Sequence, residues 1–204
     1  MNAITIREDD QVIQVRLTTG DSQIIMANKH GRAIRFHEST VREMGRTATG
    51  VRGMTLDETG DDEVIGMICI KDPEKETVMV VSEQGYGKRS EIEDYRITNR
   101  GGKGVKTLNI TEKTGNLVAI KSVTDENDLV IINKSGITLR MKVADVRIMG
   151  RATQGVRLIN LEKRNDEIAS VCKVLSETES DSSNSENIDS ASEINEAEAS
   201  ETTE

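Results

Sequence analysis

Nine arginines in this chain sit on a repeating grid. Taking Gly31, Gly85 and Gly136 as origins, arginine follows four, eleven and fifteen residues later: Arg35, Arg42 and Arg46; Arg89, Arg96 and Arg100; Arg140, Arg147 and Arg151. A second glycine closes each block nineteen residues after the first, at Gly50, Gly104 and Gly155. Arg52, Lys106 and Arg157 add a further equivalent cation just beyond it, and Lys103 lies inside the second block. Guanidinium groups spaced this way can meet a long polyanion one phosphate after another, without reading any sequence in it. Surface charge needed only for solubility has no reason to recur at fixed offsets. The bland alternative is that some arginines pair internally, for example with Asp94 or Asp145, each five residues after an arginine of the grid.

Other chemistry finds little support. Cys69 and Cys172 lack metal-ligand spacing and are read as reduced thiols, and His30 and His37 have no counterparts in the other blocks. The stretch Asn99-Arg100-Gly101-Gly102-Lys103-Gly104 is glycine-rich and basic, but it lacks Walker A spacing and a hydroxyl residue after the lysine. Tyr86 and Tyr95 occupy positions held elsewhere by Arg32, Ile137, Val41 and Val146, which suits packing better than nucleophilic work. No catalytic residue, cofactor site or metal site is expected in this chain.

The grid must be carried by repeating elements, since the blocks recur at 54 and 51 residues. Each block is preceded by an apolar run (Ile24–Ala27, Val78–Val81, Leu129–Ile132) and a four-residue turn ending in the first glycine. That pattern joins antiparallel strands. The next strand alternates: Ile137, Leu139 and Met141 share one face, and Thr138, Arg140 and Lys142 the other. Arg35, Arg89 and Arg140 are therefore expected to point away from the apolar face. A glycine-rich link, another apolar segment, a polar turn and a last strand complete about four strands per repeat, as in a propeller blade. Residues 3–17 resemble the second half of a repeat, with Ile13, Val15 and Leu17 alternating as in a half-buried strand.

The predicted organisation is all-β: residues 1–20 as the end of a truncated preceding blade, three blades at about 21–72, 75–124 and 126–174, and a tail over 175–204. The tail carries ten acidic groups and no Lys or Arg, so the rest of the chain sets 27 basic against 26 acidic groups. Almost free of large apolar residues, the tail is expected to be disordered. With no apolar run of membrane-spanning length and no signal-peptide pattern, a soluble, intracellular protein is expected.

Gly31–Phe36, Met44–Gly53, Gly85–Arg89, Tyr95–Val105 and Met149–Arg157 closely resemble the repeats of the DNA gyrase A C-terminal domain, over residues 2 to about 174. The corresponding C-terminal domain of topoisomerase IV, or a propeller used as a protein-interaction module, is the alternative. The resemblance implies a β-pinwheel, a propeller-like open or partial array whose four-stranded antiparallel blades exchange strands and wrap double-stranded DNA on a basic rim. It assigns DNA binding to the thirteen cations named above, from Arg35 to Arg157. It implies the rest of the gyrase A polypeptide and gyrase B as partners, with no membrane. A cytoplasmic, nucleoid-associated location follows, with ATP and Mg used elsewhere in the parent isomerase. The family's signature box, Gln-(Arg/Lys)-Arg-Gly-Gly-(Arg/Lys)-Gly on the first blade, is missing; Asn99–Gly104 resembles it on a later blade. The family's DNA-cleaving tyrosine has no counterpart here. On this reading the acidic tail competes with DNA for the arginines. Deleting residues 175–204 should then tighten DNA binding at low salt, whereas unchanged affinity in a filter-binding assay would make the tail a solubilising extension.

Overall fold

The computed structural model describes residues 4–161 and 166–176. The described residues up to Val174 gather into one compact unit, and a second unit begins at Leu175. Of the latter only 175 and 176 are described, so the acidic tail from residue 177 onward lies outside the described residues.

Each apolar run becomes a strand because its alternate side chains find burial on both sides. The first sheet holds β1 (Gln23–Asn28), β2 (Arg32–His37) and β3 (Val64–Ile70). The second holds β4 (Thr77–Ser82), β5 (Tyr86–Glu91) and β7 (Leu117–Val123), and the third β8 (Asn127–Asn133), β9 (Thr138–Lys142) and β11 (Ile168–Leu175). Among the described residues, helix is limited to three single 3-10 turns, at Glu38–Thr40, Ile92–Asp94 and Val143–Asp145. None is long and apolar enough to cross a membrane. The hairpin turns close as the sequence implied, with the Gly31, Gly85 and Gly136 amides donating to Asn28, Ser82 and Asn133 carbonyls at 3.2, 3.0 and 3.0 Å.

The fourth strand of a blade comes from the next repeat. β6 (Val105–Lys106) pairs with β2, Ala33 facing Val105 and Arg32 facing Lys106. β10 (Val156–Arg157) pairs with β5, Gly87 facing Val156 and Tyr86 facing Arg157. The sheet orders are β3-β1-β2-β6, β10-β5-β4-β7 and β11-β8-β9. The strand exchange that the resemblance implied is thus present: the segments after the second and third glycine-rich links serve the blades before them. The third sheet has three strands among the described residues.

The cores lie between blades. Ile25, Ala27 and Ala33 of the first sheet pack with Val78, Val80 and Tyr95 of the second repeat. Met79 and Val81, on the opposite face of β4, pack with Leu129, Ile131 and Val146 of the third. β4 is buried along its whole length, so each of these aliphatic side chains contributes about 1.5–3 kcal/mol by leaving water. Residues 13–17 differ from expectation. They form no strand, and Val15 and Leu17 are 78% and 98% exposed, because no described strand pairs with them.

Strand exchange demands glycine where the link crosses the neighbouring strand. Gly104 has φ +70°, and a Cβ there would stand 2.3 Å from the Ala33 carbonyl oxygen. Gly50, at the equivalent place in the first repeat, has φ +90° with nothing within 4 Å. Gly50→Ala should cost about 1 kcal/mol of backbone strain. Gly104→Ala should cost about 2–3 kcal/mol more, through the backbone clash. Urea denaturation of the two variants measures the difference.

Candidate nucleic-acid interface

The arginines of the grid separate into three kinds. The first kind, four residues after the opening glycine, is buried at the joints. Arg35 is 7% exposed. Its Nη1 donates to the Ile92 and Tyr95 carbonyls of the next repeat at 2.8 and 3.0 Å, and its Nε to Gln23 Oε1 at 2.8 Å. Burial lowers its pKa, opposed by the charge of Glu93. Arg89 is 4% exposed and repeats the arrangement, donating to the Val143 carbonyl at 3.2 Å and Thr77 Oγ1 at 3.1 Å. Its ion pair is with Asp125 at 2.7 Å, not with Asp94. Arg140 pairs with Asp128 at 2.8 Å, not with Asp145, and its side chain is 40% exposed.

The expectation that Arg35 and Arg89 point outward is therefore corrected. They do leave the apolar face of their own strand, but in a stack of blades the opposite face meets the next blade. A buried guanidinium there satisfies carbonyls of the 3-10 turn that would otherwise be stranded. Neither Arg35 nor Arg89 is placed to meet an external polyanion.

The second kind, fifteen residues after the glycine, staples the link to the preceding repeat. Arg100 donates from Nε to the Thr40 carbonyl at 2.9 Å and from Nη1 to the Arg52 carbonyl at 3.1 Å. Arg151 does the same to Asp94 and Lys106, each at 2.9 Å. Both side chains are half-buried, and Arg46, their counterpart, is exposed. The box-like Asn99–Gly104 stretch is held by the same joint, its Gly101 amide donating to the Gly53 carbonyl at 2.6 Å.

The third kind, eleven residues after the glycine, faces solvent. Arg42, Arg96 and Arg147 are exposed, and their side chains make no hydrogen bond or ion pair with any described residue. Backbone bridges fix their neighbourhood, Arg35 to Ile97 and Arg89 to Ile148. Ile97 and Ile148 are themselves 54% and 47% exposed beside these cations. Lys103 and Arg52 are exposed, Lys106 is exposed and donates to Asn109 Oδ1 at 3.1 Å, and Arg157 is exposed with Nε and Nη2 on the Tyr86 hydroxyl at 3.2 and 3.1 Å. A groove of about 290 Å³ beside β2 is lined by Arg96, Asn99, Gly102 and Lys103. Arg35 also lines the groove but is buried, so Arg96 and Lys103 are its exposed cations, a pair that suits a phosphate diester.

Several residues that sequence reasoning passed over also matter. Lys88 is fully buried, donates to the Gly150 carbonyl at 2.7 Å, and is brought down to about 8 by burial. Its equivalents in the other repeats are the apolar Ile34 and Leu139, and that is the signal by which the pattern could have marked position 88 as interior. Tyr95 is the packing residue expected, fully buried with its hydroxyl 2.5 Å from Thr107 Oγ1 and its pKa pushed by burial to about 12. His30, Asp57 and Asp61 bring possible ligand atoms within 4.8 Å of one another, a grouping hidden in the sequence by its long separation. His30 Nδ1 contacts Asp57 and lies 3.9 Å from Asp62, and Nε2 lies 3.4 Å from Asp61. The hydrogen bond to Asp57 raises the His30 pKa above its usual value, with burial opposing and the charges of Asp62, Asp57 and Asp61 assisting, so the three carboxylates favour the imidazolium form.

A family model described as "DNA gyrase C-terminal domain, beta-propeller" matches residues 22–71, 76–124 and 127–172. The DNA gyrase A protein of Staphylococcus aureus strain NCTC 8325 / PS 47 is 48% identical over 184 residues, covering 90% of this chain and 20% of that protein. The strain MRSA252 protein is 53% identical over 159 residues, covering 78% and 18%. The chain thus spans about a fifth of the length of the curated relatives it matches. Among solved structures, a DNA topoisomerase IV C-terminal domain aligns with TM-score 0.78 and 26% identity over 85% of this chain and 53% of its own. A DNA gyrase A C-terminal domain aligns with TM-score 0.76 and 28% identity over 85% and 57%.

The His30 cluster sets a pH dependence. His30 is raised above 6.5, so its contribution to stability is complete below pH 6.5 and is lost as pH rises through the folded value. Asp57, lowered from 3.8 to about 2 by its bonds to Thr59 and His30, contributes fully above 3.8 and loses that as pH falls toward 2. His30→Gln should therefore destabilise most between pH 3.8 and 6.5. The gap from wild type should narrow at higher pH, as read from urea midpoints across a pH series.

Proposed function

The chain belongs to the DNA gyrase C-terminal domain, beta-propeller family, and on that premise we propose that it binds duplex DNA without sequence preference and bends it along the blades. The observation that carries the reading is the trio Arg42, Arg96 and Arg147, exposed at one position of three successive repeats and with side chains unbonded to described residues. Lys103, which shares a groove with Arg96, and Arg52, Lys106 and Arg157 are further exposed cations of the same repeats. Repeats stacked with a constant rotation would lead a duplex along a curve, so affinity follows deformability rather than base identity. A body nearly neutral overall, 27 basic against 26 acidic groups outside the tail, does not repel DNA and concentrates its positive field on the exposed row.

Within the whole enzyme this module would serve ATP-dependent negative supercoiling in the cytoplasm, together with the rest of the gyrase A polypeptide and with gyrase B. ATP and Mg would be used elsewhere in that assembly. The Staphylococcus aureus relatives are gyrase proteins, which favours gyrase over topoisomerase IV; the structural likenesses, 0.76 and 0.78, do not separate the two.

Changing Arg42, Arg96 and Arg147 together to Ala should weaken binding to random-sequence duplex and flatten the slope of log K against log salt by about three. The melting temperature should be unchanged. Arg89→Ala should instead destabilise the fold by about 2–3 kcal/mol, because buried carbonyls lose their donor. A triple variant with wild-type affinity and salt slope would overturn the reading.

A further inference from the structure

Where a lent strand meets its host, the seam brings like charges together. At the first seam Arg32 of β2 lies directly across the ladder from Lys106 of β6, so both side chains leave the same face of the sheet. Both are exposed, and neither forms an ion pair with a described residue. Their hydrogen bonds go to neutral acceptors, Arg32 Nη1 to the Gly104 carbonyl at 3.4 Å and Lys106 Nζ to Asn109 Oδ1 at 3.1 Å. At the second seam the ladder partner of Arg157 is Tyr86 rather than a cation. A second positive charge is present all the same. Lys113, from the turn before β7, places Nζ 5.5 Å from the centre of the Tyr86 ring, and the guanidinium carbon of Arg157 lies 5.6 Å from the same ring. Lys113 is also exposed and has no ion pair with a described residue.

Two different sets of residues thus produce one arrangement, a pair of cations where two repeats meet. Like charges directly opposite in a sheet destabilise it, and stability alone would favour a carboxylate at position 32 or 106. A phosphate diester reverses the sign of the interaction, since one anion shared by two cations attracts both. The first seam is placed for such an anion: the Gly104 carbonyl that takes Arg32 belongs to the lining of the groove that holds Arg96 and Lys103. At the second seam the Tyr86 hydroxyl accepts from Nε and Nη2 of Arg157 at 3.2 and 3.1 Å, which leaves its own proton available to an anion held by the two cations.

We propose that each seam is a phosphate site, Arg32 with Lys106 at the first and Lys113 with Arg157 at the second, and that a duplex seated there ties two repeats together. The inference rests on the DNA-binding reading above. It adds two cations, Arg32 and Lys113, and a linkage between DNA binding and the joints between blades. Without DNA the Arg32–Lys106 pair works against its seam; with DNA the same pair holds it. A ligand that binds only the joined state stabilises that state by mass action. Duplex DNA therefore raises the melting temperature most at low salt, where the repulsion and the phosphate contacts are both least screened.

Two variants separate the seams from the outward row. Arg32→Glu sets an opposite charge across from Lys106, so its melting temperature without DNA at low salt should rise by about 1–4 °C. Its affinity for random-sequence duplex should fall about tenfold at the same salt. Arg32→Gln combined with Lys113→Gln should flatten the slope of log K against log salt by about two, with Arg42, Arg96 and Arg147 intact. Fluorescence-monitored melting and filter binding across a salt series read these effects. An Arg32→Glu chain that fails to melt higher than wild type, or a double variant with the wild-type salt slope, would overturn the seam sites and leave the outward row standing. A wild-type chain that does not bind duplex would overturn both readings.

Discussion

A sheet edge with unpaired amides and carbonyls has to be covered, and here the cover is lent by the next repeat. Every other feature of the fold answers to that loan. The lending segment must cross a neighbouring strand at backbone contact, which places glycine at 104 and 155. It must be held after it arrives, which places Arg100 and Arg151 on carbonyls of the repeat before. Once exchange has brought two blades together, their faces close over Ile25 and Val80 at one joint and Met79 and Leu129 at the other. One repeat alone lacks both its outer strand and half of its core. Its stability is therefore a property of neighbours, as in other quasi-one-dimensional arrays.

The arginines show how one residue type serves two ends. A guanidinium has five donors in a rigid fork and keeps its charge even when buried, so it can bridge several carbonyls inside a joint. Arg35 and Arg89 do this where a shorter or uncharged side chain would leave the 3-10 turn unsatisfied. Their desolvation is offset by hydrogen bonds rather than by full ion pairs, since Asp125, the partner of Arg89, is itself 74% exposed. The same chemistry turned outward, at Arg42, Arg96 and Arg147, leaves the whole fork available. Inward arginines tie neighbouring blades together, and Arg96 and Arg147 stand on backbone that those joints hold in place.

The placement of the two sets is linked through the backbone. The isolated bridges from Arg35 to Ile97 and from Arg89 to Ile148 put Arg96 and Arg147 each one residue from a bridge to a buried arginine. A disturbance at a joint therefore reaches the outward cation through a single peptide unit. The exposed surface is ordered by the cores beneath it, and the blades need no separate scaffold to align it.

The sequence alone determined the repeat, its strands and its hairpin turns, because those depend on local alternation and on glycine at left-handed positions. It also marked the family, through near-verbatim blocks such as Tyr95–Val105. Periodicity alone did not say which blade owns each strand, and only the resemblance implied an exchange: the two-residue pairing of Val105–Lys106 with β2 joins residues more than seventy apart. The fate of the arginines followed from that ownership. At single-strand level Arg35 leaves an apolar face and reads as exposed; only the stacking of the next blade makes that direction the interior. The His30 cluster was hidden differently, by the 27 residues that separate His30 from Asp57 within one repeat. Spacing along a chain reports which residues recur, and burial is decided by what the recurring units press against.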